Sequence, residues 1–109
     1  MLWKCSVCGM LHEGDAPPAF CPKCGALAEK FVALTEEEAK KIYSAQRTND
    51  IHMEITNLAA KIVKLAEEGI EINLDPPCVS LFKQAKDEAW IIKLRSIAEI
   101  AGHVSRGKW

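Results

Sequence analysis

The residues best equipped for chemistry are four cysteines set in two copies of one device, Cys5-Ser6-Val7-Cys8-Gly9 and Cys21-Pro22-Lys23-Cys24-Gly25. Two residues between paired cysteines let a tight turn aim both sulfurs at one ion, and the glycine that follows tolerates the positive φ such a turn requires. Backbone N–H groups inside the turn can point at the thiolates and share their charge. Two such turns supply the four thiolates that tetrahedral zinc or iron takes. The competing use is a pair of disulfides. Met1 is followed by Leu2, Trp3, Lys4 and Cys5, with no charged-then-apolar leader. The expected setting is therefore the cytoplasm, where paired cysteines hold metal more often than they form disulfides.

Spacing alone does not separate a structural zinc site from a one-iron site, so the residues between the cysteines matter. Trp3 stands two before the first cysteine, Glu13-Gly14-Asp15 and Pro17-Pro18 lie between the two turns, and Phe31 follows the second. This pattern, over about residues 2–34, resembles the rubredoxin-like domain of rubrerythrins. One departure is Met10, where that family usually carries Tyr. The resemblance implies a single iron held by Cys5, Cys8, Cys21 and Cys24, changing between ferric and ferrous while its ligands stay fixed. It implies Trp3, Met10, Phe20 and Phe31 as apolar neighbours that limit water, and one-electron exchange with a redox partner protein. Zinc, which has no accessible redox change, is the alternative and would make the head structural.

The elements that position these cysteines change character near residue 34. Residues 1–34 hold four of the five cysteines with three Pro and three Gly, too little apolar material for a core without a metal staple. From 35 onward the sequence is helical. Thr35-Glu36-Glu37-Glu38 is a capping box, and no Pro or Gly interrupts the chain until Gly69, which is the expected C-terminal cap. Asp75-Pro76-Pro77 starts a second helix. The expected division is a metal-binding domain over 1–34 and a helical hairpin over 35–109, with helices at about 36–68 and 76–104.

Ile51, Ile55, Leu58, Ile62 and Leu65 form a heptad seam on the first helix. On the second, Phe82, Ala85, Ala89 and Ile92 form one apolar row and Trp90, Leu94, Ile97, Ala101 and Val104 another. A hairpin has one mutual interface, and these helices carry more apolar surface than it can use. The expected architecture is thus a small metal-stapled rubredoxin-like or zinc-ribbon head followed by a long antiparallel helical hairpin. That hairpin is expected to pair as a homodimer into a four-helix bundle.

Several function classes are disfavoured. Lys plus Arg number 14 against 15 Asp plus Glu, so no basic excess draws nucleic acid. No apolar run is long enough to span a membrane. The paired Glu-x-x-His ligands of a diiron bundle are absent: Glu54 is followed three later by Asn57, and Glu99 by Gly102. His52, His12, Cys78 and the Glu99/His103 pair are expected to be structural or surface groups. The expected function is electron carriage by a protein with no substrate of its own. The rival is a structural zinc ribbon whose hairpin is a protein-interaction module. A third reading is a metal oxidase assembled at the dimer interface.

Overall fold

Three short strands make one antiparallel sheet in the order β2-β1-β3, with β1 (Leu2–Cys5) between β2 (Leu11–Glu13) and β3 (Phe31–Ala33). Trp3 on β1 stands opposite His12 on one side and Ala33 on the other. Two helices follow, α1 (Glu36–Ile72) and α2 (Pro76–Ser105). The computed structural model describes residues 1–109 and contains two compact units, Met1–Tyr43 and Ser44–Trp109. No helix is long and apolar enough to cross a membrane.

The first unit has a core of Cys5, Cys21 and Phe31, against which Trp3, Cys8, Met10 and Ala26 pack. Sulfur is therefore the centre of the core rather than a decoration on it. The Trp3 indole N–H donates to the Gly14 carbonyl at 3.1 Å, which closes the loop after β2. α1 begins with the anticipated capping box: the Thr35 N–H donates to Glu38 Oε2 at 2.7 Å, and the Glu38 N–H donates to Thr35 Oγ1 at 3.1 Å. The Thr35 N–H, then its hydroxyl, hold the Glu38 carboxyl below the ordinary carboxylate range, and Lys41 and Lys4 add to this.

In the second unit α1 and α2 form the hairpin. Asp75 accepts from the Cys78 N–H at 2.9 Å and caps α2, with prolines at its first positions. The end of α1 differs from expectation. The helix runs through Gly69 to Ile72 and stops at Asn73, whose φ of 53° is left-handed. Gly69 instead serves as a point of close approach. A Cβ placed there would lie 2.5 Å from two ring carbons of Phe82.

The row of α1 turned toward α2 is not the heptad seam. One row of buried or partly buried positions runs Ala45, Asn49, His52, Thr56, Ala59, Val63 and Ala66, stepping by four and three in turn, with buried Gly69 three residues further on. Small side chains dominate this row. The buried residues of α2 are Ala89, Ser96 and His103, spaced by sevens; Ala89 clusters with Ala59 and Val63, and His103 pairs with Asn49. The heptad row Ile51, Ile55, Leu58, Ile62 and Leu65 lies one residue earlier on the wheel and is 36–65% exposed. On α2, Phe82 and Ala85 turn partly inward, whereas Ile92 and the row Trp90, Leu94, Ile97 and Val104 are exposed.

Two glycines give opposite expectations. Gly69→Ala gains helix propensity but drives a methyl into the Phe82 ring, and is expected to cost about 1–3 kcal/mol. At Gly102 the nearest group to a new Cβ is the flexible guanidinium of Arg106, at 2.9 Å. Gly102→Ala is therefore expected to stabilise by up to about 1 kcal/mol. Urea unfolding followed at the helical circular-dichroism band checks both.

Candidate metal centre

Each cysteine pair sits in the same turn. After β1, the Cys5 N–H donates to the Met10 carbonyl at 2.9 Å and the Gly9 N–H to the Cys5 carbonyl at 2.9 Å. In the second turn, the Cys21 N–H donates to Ala26 and the Gly25 N–H to Cys21, both at 2.8 Å. Gly9 and Gly25 have φ of 78° and 75°, the left-handed conformation their sequence position anticipates. The turn directs backbone N–H groups at sulfur: Val7 and Cys8 donate to Cys5 Sγ, Lys23 and Cys24 to Cys21 Sγ, and Ala26 to Cys24 Sγ.

The four Sγ atoms lie within 4.8 Å of one another. Cys5 and Cys24 approach to 3.7 Å and Cys8 and Cys21 to 3.5 Å, so the closest contacts cross between the turns. All four cysteines are free. A disulfide would require about 2.05 Å. A tetrahedral ion with sulfurs at about 2.3 Å has edges near ~3.8 Å, so the cluster matches the size of a four-thiolate site.

The electrostatics point the same way. Burial pushes the Cys21 thiol up, but the N–H groups of Cys24 and Lys23 and the Cys8 sulfur outweigh it and bring it down to about 6. Cys5 is likewise lowered: burial opposes, and the N–H groups of Cys8 and Val7 prevail. Cys24 goes the other way. Its Ala26 N–H lowers it, but burial and the three neighbouring sulfurs raise it to about 12. The turns thus favour thiolate while crowding resists the last deprotonation. A cation at the centre removes that resistance, and the donor set of four sulfurs fits iron or zinc.

The surroundings are asymmetric. Cys5 and Cys21 are buried, Cys8 is partly buried and Cys24 is exposed. Trp3, Met10 and Phe31 line the buried side as expected, and the Cys21 thiol lies 3.8 Å from Met10 Sδ. Phe20 does not join them. It is 64% exposed and pairs by backbone with Leu27, because the chain at Cys21 turns its own side chain, and not that of its neighbour, toward the core.

The remaining candidates lie apart from the sulfurs. His12 is on β2 and partly exposed. Cys78 is in the first turn of α2. In the hairpin, the His52 and His103 rings stand edge to face at 6.1 Å, and His103 Nε2 is 3.3 Å from Glu99 Oε1. Arg106 also reaches Glu99, at 3.0 Å. The buried His52 Nδ1 and Thr56 Oγ1 have no hydrogen-bond partner. The residue sequence reasoning missed is Asn49. Its Nδ2 donates to the Lys108 carbonyl at 2.9 Å, and its Oδ1 pairs with His103 Nδ1. The signal was available: Asn49 falls on the small-residue row that faces α2.

A sheet-supported pair of cysteine turns converging on one point defines a rubredoxin-like domain. Residues 3–32 match the family model described as rubrerythrin, rubredoxin-like domain. Over 35 residues the chain is 46% identical to reverse rubrerythrin-1 of Clostridium acetobutylicum, an alignment covering 32% of this chain and 19% of that protein. The chain thus matches about a fifth of that relative's length, and the match lies in the N-terminal part. No solved structure matches the chain.

Proposed function

We propose that this chain is a one-electron carrier of the cytoplasm, with one iron per chain held by Cys5, Cys8, Cys21 and Cys24. The observation that carries the proposal is the convergence of four sulfurs, three of them receiving backbone N–H groups, inside a domain that resembles those of rubrerythrins. Iron on four thiolates supplies a ferric/ferrous couple whose ligand set does not change. The protein's part is to hold the sulfurs at fixed spacing, so that little rearrangement accompanies the electron. The donated N–H groups offset the added negative charge of the reduced form. Trp3, Met10 and Phe31 keep water from the buried side. The exposed Cys24 edge is the side from which a redox partner protein would exchange the electron.

A second reading draws on a separate observation, the apolar rows exposed on both helices. In it the metal is a structural zinc and the hairpin is an interaction module. Metal analysis separates the two. Protein purified from iron-replete cells without added zinc is expected to carry one iron per chain. One zinc per chain under those conditions would favour the second reading.

A further inference from the structure

We infer that the exposed face of α1 is the docking surface for a second copy of this chain, with the two α1 helices antiparallel and in one specific register. Ile51, Ile55, Leu58, Ile62 and Leu65 repeat at heptad spacing and are exposed on the flank of α1 beside the row that α2 covers. Five large aliphatic side chains in one continuous stripe are more than an isolated helix surface leaves in water without a partner. The interior row, one residue later on the wheel, is already used by α2.

Charge chooses the occupant and the direction. The positions flanking this stripe on the side away from α2 are Arg47, Glu54, Lys61 and Glu68, all exposed and seven residues apart. Their signs alternate. In an antiparallel pair, flanking residues of this class face the same class on the other helix. One register sets Arg47 against the partner's Glu68 and Glu54 against the partner's Lys61, each occurring twice by symmetry. The same register stacks Ile51 on the partner's Ile62 and Ile55 on the partner's Leu58. Sliding by one heptad in one direction sets Glu54 against Glu68 and Lys61 against itself. Sliding in the other sets Arg47 against Lys61 and Glu54 against itself. A parallel pairing would send these charges toward the side covered by α2. The α1 stripe therefore complements itself in a single arrangement.

The test is charge reversal on the full chain, read as dimer dissociation by sedimentation and light scattering, with circular dichroism as the folding control. Glu54 and Lys61 lie two turns apart, on exposed positions of one helix, so reversing them leaves the folded chain intact. Glu54→Lys or Lys61→Glu alone converts two attractive contacts to repulsive ones, and each is expected to weaken the dimer about tenfold. The double variant sets opposite charges at every flanking pair in this register only, and is expected to return to within about threefold of the parent. A parent protein that stays monomeric overturns the proposal. So does a double variant no tighter than the single ones, or single variants that dimerise as well as the parent.

Discussion

Cys21→Ser is expected to yield a protein without the metal and without a folded first unit, while the helical signal of the hairpin persists. Cys21 does three things at once. It is buried at the centre of the small core with Cys5 and Phe31. Its sulfur accepts from the N–H groups of Lys23 and Cys24. It also makes the 3.5 Å contact that brings the second turn to Cys8. The unit has 43 residues and one buried aromatic, so it has little apolar burial to fall back on. Structural sites of this kind contribute on the order of 10 kcal/mol, far more than the sheet and Phe31 can replace. Serine keeps the turn hydrogen bonds but offers no thiolate. Two-dimensional amide NMR checks the result, with loss of dispersed signals from residues 1–34 and retention of those from α2. A serine variant that kept one metal per chain and a dispersed first unit would contradict the assignment of Cys21 as a ligand.

The second large effect is expected far from the sulfurs. Asn49→Leu should destabilise the hairpin by about 2–4 kcal/mol despite adding apolar volume. Asn49 is 6% exposed. Because its Nδ2 donates to the Lys108 carbonyl, its Oδ1 is the atom that faces His103, and His103 Nδ1 is the donor there. Leucine would strand both the His103 N–H and the Lys108 carbonyl. The C-terminal residues after Ser105 would also lose a tether to α1 that spans 59 positions of sequence. Denaturant unfolding measures the stability, and amide exchange at Gly107 and Lys108 reports the tether. A variant that unfolds at the parent's midpoint would show that Asn49 is a passive occupant of the row.

The cysteine turns and the helix starts were legible in the sequence because each is a local device. Cys-x-x-Cys-Gly encodes its own backbone conformation, and Thr35 with Glu38 or Asp75 with Pro76 encodes a helix start within four residues. What was not legible depends on which of two adjacent rows a helix turns inward. The small row through Ala45, Asn49, Ala59 and Ala66 and the large row through Ile51 to Leu65 share one heptad period and differ by a single residue of phase. Periodicity cannot rank them, and hydrophobicity ranks them the wrong way. The row on the α2 side is rich in alanine, and isoleucine is left exposed for another surface. Gly69 differs from its sequence expectation for a related reason: a glycine late in a helix looks like a cap, whereas its use is set by Phe82, thirteen residues away. Phe20 shows the limit of carrying over a resemblance. The resemblance implied an apolar shield at this position, but the turn that buries Cys21 exposes its neighbour.

Redox titration of the natively purified protein, followed in the visible spectrum, tests the central claim most directly. Thiolate-to-iron absorption is expected in the oxidised protein, bleaching reversibly with one electron per chain, and is expected to be absent from Cys21→Ser. A colourless protein carrying one zinc per chain, unchanged by reductant even after expression in excess iron, would contradict it.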